Sequence, residues 1–159
     1  MTWKDLCSDR RFHDLPFKIE LNRQGRIIMS PTRNLHGFFA AKIVELLKNR
    51  MTGGQVLVEF AVETDDGTKE ADVVWVSDER FRVIRDEFSC SIAPGICVEI
   101  LSPSNSWPEM MRKKDLYIEA GAKEYWLCGE DGGMQSFSHA TALEGSVLCP
   151  DFPKTIAGR

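Results

Sequence analysis

Acidic residues are disfavoured inside β-strands, where side chains must pack on a half-buried pleated surface. Yet Asp72 heads the apolar run VVWV, and Glu99 stands in the middle of ICVEIL. Alternation along that second run sets Ile96, Val98 and Ile100 on one face and Cys97, Glu99 and Leu101 on the other, so Glu99 has apolar neighbours on both sides. A carboxylate so placed must be protonated, paired with a cation or bound to a metal, because an unpaired buried charge is too costly. Two such carboxylates at neighbouring strand ends make a hard-oxygen site of the kind magnesium uses together with phosphate oxygens and water. Taken singly, each acid is more often a structural partner of a nearby Lys or Arg. Two in adjacent predicted strands are less easily assigned that way.

A lysine accompanies them on a helix. In PEMMRKKDLYIEAG, Arg112, Asp115 and Glu119 cluster on one side, and Met110, Leu116, Tyr117 and Ala120 lie toward the other. Lys113 falls in the apolar sector, three residues from Met110 and Leu116 and four from Tyr117, so its ammonium is carried toward the sheet. Lys114 lies between Met110 and Ile118, so periodicity leaves both lysines open, and a stem that merely covers the core edge fits as well. Glu59 shares a strand face with Leu57, Ala61 and Glu63, which makes it a solvated strand acid before it is a further ligand. His36 falls on the Ile43 and Leu47 side of a helix, where a hydrogen-bonded core histidine is expected; Glu45, on the polar side, is assigned no role.

The elements that must position these groups follow from the pattern. FKIELNRQGRIIMSP alternates about a turn at Gln24-Gly25 and reads as a β-hairpin ended by Pro31. Leu35, Phe39, Ile43, Leu46 and Leu47 recur at helical spacing from about Asn34 to Met51, and Thr52-Gly53-Gly54 stops the helix. QVLVEFAVET and KEADVVWVS are strands joined by the turn Asp65-Asp66-Gly67 and should pair antiparallel. Asp78 to Pro94 reads as a connection with one short helix. Then come the strand ICVEILS, the helix that ends at Gly121, the strand EYWLCG, and short terminal strands with turns at Asp131-Gly132-Gly133 and Glu144-Gly145. The order predicts a mixed α/β (α+β) class built around one sheet, in a single domain over residues 1–159.

Composition bounds the function. With 43% hydrophobic and 28% charged residues the chain is ordinary globular material, and its apolar runs are far too short to span a bilayer. The charged start MTWKDLCSDRRF is unlike a signal peptide, so a cytoplasmic protein with no membrane association is expected. Five cysteines without a CxxC pair suggest buried, reduced thiols rather than a zinc site or disulfide framework. A net charge of −4 argues against broad basic binding of nucleic acid, although a local basic strip with a bound metal can supply the field. Three histidines and no GxSxG, Walker or GxGxxG motif leave other hydrolase classes little support.

The succession ADVVWV, VEILSPSN and KKDLYIEAGAKEYWL resembles the Uma-two (Uma2) family, a branch of the PD-(D/E)XK restriction-endonuclease-like superfamily. GRIIMSPT, followed by a helix opening near His36, fits the family's N-terminal half, and CPDFP resembles its closing segment. The resemblance implies a restriction-endonuclease-like core, with a central mixed β-sheet flanked by helices and an N-terminal β-hairpin. It implies magnesium, with manganese able to substitute, bound by Asp72, Glu99 and the backbone carbonyl of Ile100, and hydrolysis of phosphodiester bonds in DNA. The superfamily's lysine stands two residues after the second acid, a position held here by Leu101; four residues before the tyrosine it corresponds to Lys113. Ala71 stands where a proline normally precedes the first aspartate. The alternative is a catalytically degenerate member that binds nucleic acid or another protein. Related folds often form homodimers to cut two strands, but no surface in the sequence specifies one.

Overall fold

The computed structural model describes residues 1–139 and 141–156 and is built on a six-stranded sheet with helices on both faces. Its first helix, α1 (Trp3–Ser8), lies in the charged N-terminal stretch, ahead of the first element expected from the sequence. Thr2 and Asp5 explain it: the Thr2 hydroxyl accepts the Asp5 N–H and the Asp5 carboxylate accepts the Thr2 N–H, a reciprocal cap. The helix buries Trp3 and Leu6 against Ile19 and Leu21. A single 3₁₀ turn, Arg10–Phe12, follows.

Strands β1 (Phe17–Leu21) and β2 (Ile27–Pro31) form the expected hairpin, paired from Phe17 with Pro31 to Leu21 with Ile27. They make a two-stranded sheet of their own, which leans on the main sheet through side chains, as where Glu20 accepts the Glu70 N–H. Helix α2 (Asn34–Arg50) buries Phe39, Ile43 and Leu47 at four-residue spacing, each worth about 1.5–3 kcal/mol. Leu35 is 38% exposed, so the buried stripe begins one turn later than expected.

Strands β3 (Gln55–Thr64) and β4 (Gly67–Val76) pair antiparallel across the Asp65-Asp66 turn, and Gly67, at φ +81°, supplies the left-handed residue the turn requires. Helix α3 (Asp78–Ile84) is the one short helix of the following connection. After β5 (Ile96–Ile100), the Ser106 and Glu109 capping box starts α4 (Trp107–Glu119), and Gly121 at φ +114° lets the chain leave it. Strand β6 (Glu124–Cys128) lies parallel to β5, while β7 (Met134–Phe137) and β8 (Ala142–Leu143) continue antiparallel. The order across the sheet is β3-β4-β5-β6-β7-β8.

The alternation read in β5 holds. Cys97 joins Met110 and Tyr117 of α4 and Ile84 of α3 on one face, whereas Ile96, Val98 and Ile100 pack with Phe39, Ile43 and Leu47 of α2 on the other. The fold is therefore the expected mixed class, a central mixed sheet flanked by helices with an N-terminal hairpin. Of the five thiols, Cys90, Cys97, Cys128 and Cys149 are buried and free, while Cys7 is exposed, a correction that follows from its place on the outer side of α1. No described helix is long and apolar enough to cross a membrane. Ala140 and residues 157–159, the end of the expected 1–159 domain, lie outside the described residues.

Candidate active site

Strands β4 and β5 pair through Val73 with Val98, Val74 with Cys97 and Trp75 with Ile96. One step further in the same register, Asp72 stands opposite Glu99. The ladder stops there, and the Ile100 N–H donates to Asp72 Oδ2 at 2.7 Å. A backbone donor that would have served the sheet thus fixes a side chain, and the diverging strand ends open a cleft. Asp72 and Glu99 are 6% and 1% exposed, so both carboxylates need partners.

Helix α4 provides two of them. Lys113 Nζ lies 3.3 Å from Glu99 Oε1 and 2.9 Å from Glu20 Oε1, and the Tyr117 hydroxyl, one turn on, donates to Glu99 Oε1 at 2.7 Å. Lys114 points elsewhere, 3.3 Å from Asp115 and over the Phe137 ring. The choice that helical spacing left open therefore falls to Lys113, and Asp72, Glu99 and Lys113 come together in one cluster.

The cluster also holds residues that the sequence reading missed. Lys18 Nζ bridges the two acids, 2.9 Å from Asp72 Oδ1 and 2.8 Å from Glu99 Oε2. Glu20, two residues along β1 on the same face, receives Lys113. The available signal was the alternation of FKIEL, which sets Lys18 and Glu20 together opposite Ile19 and Leu21; that polar face turns to the cleft rather than to water. His36 is a correction. Its Nε2 lies 3.2 Å from Asp72 Oδ2, so it is hydrogen-bonded, but at the cluster rather than in the core. Its position in the first turn of α2, before the buried stripe begins at Phe39, explains the difference. Glu59 is exposed and has no ion-pair partner among the described residues, and it stays outside the cluster.

The electrostatics follow from burial and proximity. Burial pushes Asp72 upward, but the Lys18 charge and the His36 contact outweigh it and hold this carboxyl well below the usual range. Glu20 is likewise pushed up by burial and brought lower by Lys113 and Lys18. For Glu99 burial prevails over both lysines, and its pKa rises. Burial lowers the two ammonium groups, yet Glu99 and the other acids more than compensate, so Lys18 and Lys113 stay charged. Glu20, Asp72 and Glu99 against Lys18 and Lys113 leave one formal negative charge in a cleft of about 180 Å³.

Among the described residues no group of three His, Cys, Asp or Glu side chains is placed to hold a metal ion. The donor set at the strand ends is of another kind, two carboxylates beside the Ile100 backbone. Such a set suits magnesium, which keeps several waters and takes only one or two carboxylates. Ser102, Asn105 and Arg112 line the same cleft and add neutral and cationic donors for an anionic ligand.

Comparison with known proteins bears on the family and the fold. Residues 9–138 match the Uma2 family, whose description is "Putative restriction endonuclease". A crystal structure described as a "putative nuclease belonging to DUF820" from Anabaena variabilis ATCC 29413 shares the fold, with a TM-score of 0.64 at 17% identity over 89% of this chain and 81% of that one. No curated protein matches the chain.

Proposed function

This chain belongs to the Uma2 family, and from that premise we propose that it is a magnesium-dependent endonuclease that hydrolyses phosphodiester bonds in DNA. One observation carries the reading: Asp72 and Glu99 face each other across diverging strand ends, and Lys113 reaches the same carboxylate from α4. Asp72, Glu99 and the Ile100 carbonyl are the groups to hold magnesium, or manganese in its place. The metal's contribution is charge neutralisation at the phosphate and a lowered pKa for coordinated water.

In the reaction a water oxygen attacks phosphorus and one P–O ester bond breaks, leaving a phosphate monoester and a free hydroxyl. Lys113, anchored by Glu20 and Glu99, orients the attacking water and donates to the oxygens on which negative charge grows. Tyr117 fixes Glu99 from below, and His36 with the Ile100 N–H fixes Asp72, so neither acid needs to reorganise. Ser102, Asn105 and Arg112 are available to the backbone phosphates.

The competing reading is a member that binds nucleic acid or a protein without turnover. It is favoured by one observation, the Lys18 ammonium between the two acids. Supercoiled, linear and single-stranded DNA, incubated with magnesium or manganese, separate the two. We expect cleavage by wild type and loss of it in Asp72→Asn, Glu99→Gln and Lys113→Ala. Equal cleavage by all four proteins sinks the assignment, and DNA binding without cleavage by wild type selects the competing reading.

A further inference from the structure

Lys18 stands where the proposed function needs a divalent cation. Its ammonium is within 2.9 Å of Asp72 Oδ1 and 2.8 Å of Glu99 Oε2, and its side chain is only 11% exposed. An ammonium is a compact point charge with three donors on a flexible four-carbon stem. It can therefore occupy a cation position and also vacate it, provided a second resting place exists.

The structure contains one. Lys18, His36 and Asp72 line the catalytic cleft, and the same three line a second cavity of about 1110 Å³ between the N-terminal segment, α2 and β3. Glu59 and Glu70 line only this second cavity, and neither carboxylate has an ion-pair partner among the described residues. Glu70 already feels the Lys18 charge. The β3–β4 ladder pairs Val58 with Val73 and Phe60 with Ala71 but skips the step between, where Glu59 takes φ +50°. A left-handed non-glycine residue inside a strand is strained, and here it sits directly across from Asp72.

We propose that Lys18 is a built-in counter-ion, which holds the divalent-cation position between Asp72 and Glu99 in the resting protein and swings toward Glu59 and Glu70 when the metal enters. This rests on the reading that Asp72 and Glu99 bind the metal. Lys18 neutralises two facing carboxylates that would otherwise repel across the strand ends, and it makes metal binding an exchange of one cation for another. The apparent metal affinity is reduced by the fraction of molecules in which Lys18 is in place.

The test measures metal binding and lysine exposure rather than cleavage. Mn²⁺ binding is followed by electron paramagnetic resonance for wild type, Lys18→Met and Lys18→Met with Asp72→Asn, each checked for folding by circular dichroism. Lys18→Met keeps the stem and removes the charge, and it is expected to bind Mn²⁺ about tenfold tighter or more, with the gain abolished by Asp72→Asn. In wild type, acetic anhydride labelling read by mass spectrometry should show Lys18 acetylation rising severalfold when Mn²⁺ is added, with no rise in Asp72→Asn. Charge removal alone can tighten binding but cannot expose Lys18 in the unmutated protein. Mn²⁺ binding at Asp72 with Lys18 labelling unchanged overturns the counter-ion role and leaves the metal site standing. No Mn²⁺ binding by folded wild type or Lys18→Met overturns both.

Discussion

Two glutamates on neighbouring parallel strands are equally buried and differently held. Glu99 on β5 and Glu124 on β6 are 1% and 2% exposed. Glu124 Oε1 accepts the backbone N–H groups of Val147 and Leu148 at 2.7 and 2.9 Å, and Oε2 accepts the Trp126 indole and the Ser146 hydroxyl at 2.8 and 2.6 Å. All four donors are neutral and built into the fold. Glu99 instead receives the ends of two lysines and one phenol. Fixed neutral donors tie a carboxylate to the structure, as Glu124 ties the C-terminal segment to the sheet. Mobile cations can be traded for another cation, and that is what a metal site requires. Burial of an acid does not distinguish chemistry from architecture; the nature of its partners does.

Exchanging these glutamates for neutral residues is the direct way to break the comparison. On the proposed function, Glu99→Gln should lower cleavage by at least about 10²-fold, because loss of a proposed ligand exceeds the effect of losing a residue that merely orients one. Its stability should fall by no more than about 1 kcal/mol, since Lys18 keeps Asp72 and Lys113 keeps Glu20. Glu124→Ala should do the reverse. It leaves four donors without their acceptor, the buried Trp126 indole among them, and is expected to cost about 2 kcal/mol in urea unfolding, with Mn²⁺ affinity unchanged. A Glu124 variant that loses metal binding while folded, or a Glu99 variant that unfolds, would erase the distinction.

Glu70 is a third case, with neither fixed donors to its side chain nor a cation of its own among the described residues. Burial raises it from the ordinary 4.5 to about 7, against the pull of Lys18. A raised carboxyl favours the fold when protonated, so its contribution is full below about 4.5 and is lost as pH rises through about 7. Between about pH 5 and pH 8, wild type should therefore lose about 1–2 kcal/mol relative to Glu70→Gln, a figure reduced for the partial exposure of the side chain. Parallel pH profiles for the two proteins would refute this.

The comparison also explains what was legible in the sequence. Asp72 and Glu99 announce themselves because an acid inside an apolar strand violates local preference, and the antiparallel pairing of β3 with β4 follows from alternation and turn chemistry. Glu124, which opens EYWLC, drew no attention because an acid at a strand edge violates nothing. Lys113 could be separated from Lys114 only once α4 was seen against β5, since both lysines satisfy the helical period. Lys18 and Glu20 lie on the polar face of a hairpin, and alternation cannot say whether such a face meets water or a second polar surface. His36 departs from the core placement expected for it for a related reason: periodicity gives the side of a helix, not the depth at which its first turn enters the core. What remained hidden was the docking of the hairpin on the sheet, which depends on side-chain contacts between segments far apart in the chain.

Tyr117 offers the finest test, because its hydroxyl is the one neutral donor on Glu99 among the described residues and so the one respect in which Glu99 resembles Glu124. Burial and the nearby Glu99 charge push the phenol well above its usual range, so it donates at every working pH. Tyr117→Phe keeps the ring that stacks on Tyr125 and removes only the hydrogen bond. The expected loss is about 1 kcal/mol in stability. If neutral donors confer architecture and cations confer chemistry, the variant should also retain Mn²⁺ affinity within about tenfold of wild type, the lower end expected for a residue that only orients a ligand. A loss of binding as complete as that of Glu99→Gln would mean that the phenol, rather than the lysines, sets the carboxylate's readiness for metal, and the line drawn between the two glutamates would have to move.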